Sequence, residues 1–183
     1  MSMAASRRAS EPAIVVMGVS GCGKSAVGAA LADALGLPFT EGDGLHPAAN
    51  VAKMSKGVPL TDTDRWPWLD RVAAALAGGG VVSCSALKRA YRDRLRQGAG
   101  RPVAFVFLRG SHAVLAERMA RRTGHFMPAS LLASQLATLE DPSAERGVVT
   151  VDLDRPLPAI VAEAAAGLRA FLKCHPNEKE TIR

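Results

Sequence analysis

The first regular feature along the chain is a run of five apolar residues, Ala13 to Met17, rich in β-branched side chains and followed by Gly18. Such a run predicts a buried strand. From Ser25 the period changes: Val27, Leu31 and Leu35 recur every four residues, and Gly36 follows where a helix would stop. The chain therefore opens as strand, glycine loop and helix. Further short apolar runs, Leu37 to Thr40, Val81 to Ser85, Val103 to Leu108 and Val148 to Leu153, are each bounded by Gly, Pro or charged residues and predict four more strands. Helical segments lie between them. The clearest comes last, where Leu157, Ile160, Val161, Ala164, Leu168, Phe171 and Leu172 mark one face as a core-packing stripe.

Short buried strands alternating with helices predict βαβ units, and therefore an α/β fold: a five-stranded parallel sheet with helices on both faces. At 183 residues the chain suits one such domain. We place it at residues 13–173, after a polar, flexible leader (1–12) and before a polar tail (174–183). No internal repeat is present, and Gly78-Gly-Gly80 and Gly98-Ala-Gly100 read as loop punctuation.

Composition narrows the class. With 48% hydrophobic and 22% charged residues the chain is neither disordered nor fibrous. The longest early apolar stretch, Ala13 to Val19, is far shorter than a bilayer span, and the residues before it lack the apolar region of a secretory signal, so a cytoplasmic protein without a membrane partner is expected. Three cysteines with no CxxC pair suggest neither a disulfide framework nor a zinc site. The net charge of +6 is spread along the chain without interleaved aromatics, which speaks against nucleic acid and is equally met by an anionic small substrate.

Gly18-Val-Ser-Gly-Cys-Gly-Lys-Ser25 matches GxxxxGK[ST] at every fixed position and lies between the first strand and helix, as that motif requires. Its glycines let successive backbone N–H groups face phosphates at a helix N-terminus. Gly18, Val19, Ser20, Gly21, Cys22, Gly23, Lys24 and Ser25 are thus the predicted ATP-binding loop, with Lys24 bridging the β and γ phosphates and the Ser25 hydroxyl on Mg²⁺. No NKxD-like guanine-reading segment is found. Asp152, the one late candidate for an ATPase metal carboxylate, reads better as turn chemistry in Asp152-Leu-Asp-Arg-Pro156.

After the second strand, Glu41-Gly-Asp-Gly-Leu-His-Pro47 puts Asp43 at a carboxyl strand end, where open α/β sheets bind ligands. Asp43 is the candidate general base and a second Mg²⁺ contact; an Asx turn or helix cap is the plainer alternative. His46, Asn50 and Lys53 follow at helical spacing. In Asp62-Thr-Asp-Arg-Trp-Pro-Trp-Leu69 either aspartate suits a helix cap, Trp68 and Leu69 suit the core, and Arg65 suits a substrate carboxylate through bidentate pairing. Ser85 and Lys88 close the third strand at the same edge, whereas Arg89, Arg92 and Arg94 can equally form a solvated basic face. Arg118, Arg121 and Arg122 run into a Gly-containing segment ending at Pro128, a pattern suited to a mobile lid at about 118–130 that covers the transferring phosphoryl group; a basic helix end is the alternative.

Taken with Leu45-His-Pro47, Lys53-Met54, Pro59-Leu60, Pro67-Trp-Leu69, Cys84-Ser-Ala-Leu-Lys88, Tyr91-Arg-Asp93 and Gly124-His-Phe126, the chain from about Ala13 to Leu172 resembles the gluconokinase family of P-loop small-molecule kinases. The resemblance implies phosphorylation of D-gluconate at its 6-hydroxyl by Mg-ATP, giving 6-phosphogluconate for the pentose phosphate or Entner-Doudoroff routes, and a homodimer. It implies Asp43 as base, Lys24 and Arg122 as charge stabilisers, Arg118 at the nucleotide, and His46, Lys53, Arg65, Ser85, Lys88, His125 and Gln135 around the acceptor. A kinase of a related sugar acid or shikimate-like acceptor, and a non-catalytic ATP-binding regulator, are the alternatives. Cys22 stands where a small inert residue is expected in that loop. At a helix start its thiol would be acidified and reactive, so that its modification blocks ATP binding; simple packing is the alternative.

Overall fold

The structure, a computed structural model, describes residues 11–120 and 129–174. Five strands form a single sheet: β1 (Ala13–Met17), β2 (Phe39–Glu41), β3 (Gly80–Ser83), β4 (Val103–Arg109) and β5 (Val148–Asp152). Their order is β2-β3-β1-β4-β5, and every pair is parallel. The helices are α1 (Lys24–Leu35), α2 (Ala48–Ser55), α3 (Asp62–Ala77), α4 (Arg89–Ala99), α5 (His112–Ala120), α6 (Ala129–Thr138) and α7 (Leu157–Cys174), and a 3-10 turn (Gly42–Leu45) follows β2.

β1 is central because all five of its residues are buried. Its side chains alternate between two cores. Ile14 and Val16 join Val27 and Leu31 of α1 and Ile160, Ala164 and Leu168 of α7 on one face. Ala13, Val15 and Met17 join Trp68, Leu69 and Val72 of α3 and Tyr91 and Leu95 of α4 on the other. That period of two, with apolar residues at both phases, follows from a strand covered on both sides.

The strands begin and end close to the predicted limits, with two shifts. Leu37 closes the C-terminal cap of α1, where its N–H donates to Ala32 O at 2.9 Å just after left-handed Gly36, so β2 starts later, at Phe39. β3 stops at Ser83 because the chain then turns: Ala86 has φ 43°, the one positive φ at a non-glycine among the described residues. The leader up to residue 10, the tail from residue 175 and most of the predicted lid, including Arg121, Arg122 and His125, lie outside the described residues.

Candidate active site

The phosphate loop runs from the end of β1 to the first turn of α1. Gly18, Gly21 and Gly23 have φ of 147°, 83° and 89°, values that L side chains rarely adopt, so each glycine is required by the curl. Lys24 Nζ donates back to Val19 O at 3.0 Å, arching across the loop. Ser25 sits in the first turn of α1. Val19 and Cys22 are buried beneath the loop, and Cys22 Sγ fills the space against Gly18: a Cβ there would meet it at 2.8 Å. Burial pushes the Cys22 thiol above its ordinary pKa, outweighing the nearby Lys24 charge and backbone N–H donors. Of the two readings of Cys22, burial favours packing: desolvation outweighs the helix start.

Asp43 rises from the 3-10 turn with an exposed carboxylate. The residue before it is held from two sides: Gly42 N–H donates to Ser83 Oγ at 3.0 Å, and Trp68 Nε1–H donates to Gly42 O at 2.8 Å. A Cβ at Gly42 would overlap the Ser83 carbonyl oxygen, so the ends of β2 and β3 approach this closely only over glycine. Ser83 Oγ in turn donates to Glu41. His46 stacks on Trp68, ring centroids 4.2 Å apart, with Asn50 Nδ2 at 3.3 Å from its Nδ1. Partial burial lowers the His46 pKa, Asp43 opposing and Arg65 assisting, which favours the neutral ring.

Asp62 and Asp64 do more than begin α3. The N-cap is Thr61 rather than either aspartate, because its side chain accepts from Asp64 N–H; Asp64 completes the capping box while accepting from Lys53 Nζ at 2.6 Å. These donors hold the Asp64 pKa down to about 2. Asp62 accepts from Lys88 Nζ at 2.8 Å on both oxygens and from the Tyr91 hydroxyl at 2.5 Å. Of the three cations expected around the acceptor, Lys53 and Lys88 are thus already paired. Arg65, half-buried with its guanidinium 5.9 Å from the Tyr91 ring centre, forms no salt bridge among the described residues, although the Asp62 carboxylate is near enough to feel its charge. Lys24, Asp43 and Arg65 all lie close enough to act on the Cys84 thiol at the end of β3, which burial raises to about 12. These groups converge on one end of the sheet.

Two expectations take a different form. Gln135 of α6 reaches the phosphate loop: Ser20 N–H donates to its Oε1 at 2.7 Å, and its Nε2 donates to Ser20 Oγ at 2.9 Å. Arg92 is wholly buried rather than on a solvated face. Arg118 Nη2 donates to Leu153 O at 2.5 Å, and its Nη1 would lie 3.7 Å from a Cβ on Gly23. Beside it is a cleft of about 320 Å³ lined by Val114, Glu117, Leu153, Asp154, Arg155 and Pro156. Asp152 makes the expected turn, accepting from Asp154 N–H at 2.9 Å. The second roles of Trp68 and Arg92 were not readable locally, because each partner lies in another segment.

Among the described residues no group of three or more His, Cys, Asp or Glu is placed to hold a metal. Ser25 and Asp43 offer one hydroxyl and one carboxylate, a donor set that suits Mg²⁺ arriving with phosphates. A positive-φ glycine loop opening onto a helix N-terminus, with a lysine arched over it and a carboxylate after β2, one strand removed in the sheet, defines a P-loop kinase. Residues 14–142 match the family described as "AAA domain". The chain is 53% identical over 156 residues to "Gluconokinase" of Gluconobacter oxydans (strain 621H), covering 82% of this chain and 86% of that protein. A solved structure described as a gluconokinase from Sinorhizobium meliloti 1021 superposes with TM-score 0.85 at 60% identity, covering 90% of this chain and 95% of that one. The shikimate kinase of Aquifex aeolicus, at 18% identity and TM-score 0.55 over 86% of this chain and 96% of that one, shares the fold. The chain belongs to the gluconokinase family.

Proposed function

We propose that this chain transfers the terminal phosphoryl group of ATP to the 6-hydroxyl of D-gluconate, giving 6-phosphogluconate and ADP. The observation that carries the acceptor assignment is the state of the cations assigned to the acceptor: Lys53 and Lys88 are bonded to Asp64 and Asp62, while Arg65 forms no salt bridge among the described residues. A half-buried guanidinium and an exposed carboxylate at the same end of the sheet suit an acceptor with an acid group at one end and a hydroxyl at the other.

Bound Mg-ATP supplies the phosphoryl group and part of the charge neutralisation. The loop N–H groups and Lys24 would hold the phosphates, Ser25 and Asp43 would hold the metal ion, and the cleft beside Arg118 would take the nucleoside end. Asp43 accepts the proton of the attacking hydroxyl, and Arg65 fixes the acceptor's opposite end so that this hydroxyl faces Asp43. His46, Ser85 and Lys88 line the acceptor side. Arg122 and His125 are assigned to phosphoryl stabilisation and acceptor contact by family position. A homodimer, a cytoplasmic location and the lack of a nucleic-acid or membrane partner complete the proposal; among the described residues no helix is long and apolar enough to cross a membrane.

ADP release measured across gluconate, related sugar acids and shikimate is the test. Turnover fastest with gluconate is expected; a faster acceptor, or nucleotide binding without turnover of any, overturns the proposal. Arg65→Met should raise KM for gluconate by about tenfold or more with KM for ATP little changed, since a lost bidentate pair is worth well over 1 kcal/mol. An unchanged gluconate KM would move the carboxylate elsewhere.

A further inference from the structure

Behind the acceptor edge lies a charged cluster that the reaction does not use directly. Arg92, one turn into α4, is fully buried. Its Nη1 donates to the carbonyls of Ala86 and Leu87 at 2.9 and 3.0 Å, its Nη2 to Glu140 O at 3.1 Å and Glu145 Oε1 at 2.5 Å, and its Nε to both Glu145 oxygens at 3.1 and 3.2 Å. Arg96 Nη2 adds a second cation to Glu145 at 2.8 Å. The same stretch is tied from outside, as Glu140 N–H donates to Leu87 O at 2.9 Å and Arg89 N–H donates to Glu140 Oε2 at 2.6 Å.

We infer that Arg92 is a positioning residue for the acceptor site: it holds the loop between β3 and α4 in the one backbone conformation from which Ser85 and Lys88 serve the acceptor. Ala86 carries the evidence. It is left-handed at φ 43° although it has a Cβ, a conformation that persists only where surroundings enforce it. The enforcement is visible, because this conformation aims the Ala86 and Leu87 carbonyls at one guanidinium nitrogen. Lys88 follows directly as the N-cap of α4, reaching Asp62 beside Arg65. A lysine at 92 keeps the charge but cannot span carbonyls and carboxylate together. Arg92 touches neither phosphate loop nor exposed carboxylate, so its influence passes through the loop. The inference rests on the reading above that this loop borders the acceptor.

The test compares Arg92→Lys with the wild type in full steady-state kinetics, using whichever acceptor of the panel the wild type turns over best. We expect the acceptor KM to rise by about tenfold and the ATP KM to change less than about twofold, since small misplacements of a binding edge cost one to two decades. Adding Ala86→Gly should restore part of the lost acceptor affinity, because glycine takes the left-handed conformation without help. Should Arg92→Lys fail to fold, Glu145→Gln keeps the carboxylate's shape and is expected to give the same split in smaller degree. Equal rises in both KM values, or a lower Tm with neither KM changed, would reduce Arg92 to a structural residue and overturn the inference. A clear split measured with an acceptor other than gluconate would sustain it while refuting the gluconate assignment; no turnover of any acceptor would remove both.

Discussion

Asp43 owes its place to neighbours that do no chemistry. Gly42 is fastened by Ser83 and Trp68 through its two backbone groups, so the proposed base follows an anchored peptide while its own carboxylate stays exposed. Asp43→Asn should therefore leave the fold intact and lower kcat by about a hundredfold or more, the size of a lost general base. Near-normal turnover in a stopped assay would take Asp43 out of that role. Cys22 makes the opposite case. Its thiol is buried against Gly18, and Cys84 is buried at the end of β3, so both should resist iodoacetamide in the folded protein and react only after denaturation. Labelling of Cys22 in the native state, located by peptide mapping, would contradict the packing role.

Among the elements, α3 joins stability to the site. Thr61 and Asp64 cap its start reciprocally, and Asp64 also holds Lys53. Thr61→Ala should cost about 1 kcal/mol, read as a lowered Tm, because one orphan N–H at the helix start loses its acceptor. The Asp64 pKa of about 2 lies below that of an unfolded aspartate, so the unfolded chain binds the proton more readily. The stabilisation from Asp64 is present above about pH 4 and is lost as pH falls toward 2. His46 has the same sign in a higher window: its pKa is lowered by burial, so its contribution is complete above about pH 6.5 and declines on acidification. Denaturation curves from pH 8 to pH 3 should lose stability first near the His46 window, and His46→Gln should flatten that first step. An unaltered first step in His46→Gln would assign it to another group.

Across the whole molecule, the parallel order β2-β3-β1-β4-β5 brings the ends of β1, β2 and β3 together, which is why the phosphate loop, Asp43 and the Cys84–Lys88 loop face one another. Gln135 ties this edge to α6 through both bonds to Ser20. If that tie is the role of Gln135, Gln135→Ala should raise KM for ATP several-fold while KM for gluconate holds, consistent with one or two neutral hydrogen bonds at about 1 kcal/mol each. The reverse split would return Gln135 to the acceptor side, where family position put it.

The sequence by itself determined whatever depends on near neighbours: the strand-loop-helix of Ala13 to Leu35, the eight-residue phosphate loop, and the set of segments that marks the family. Strand periodicity, helix caps and glycine loops are local physics, so their residues stand together in the chain. Tertiary structure alone decided which cations are already paired, leaving Arg65 without a salt bridge among the described residues; that Trp68 both fills the core and anchors Gly42; that Arg92 is buried on Glu145 rather than solvated; and that Cys22 is desolvated. Each of those outcomes turns on a partner or a burial supplied by another element, as with Gln135 and Ser20, 115 residues apart. Burial and long-range pairing set the charge state and orientation of a side chain, and neither is written in the residue's own neighbourhood.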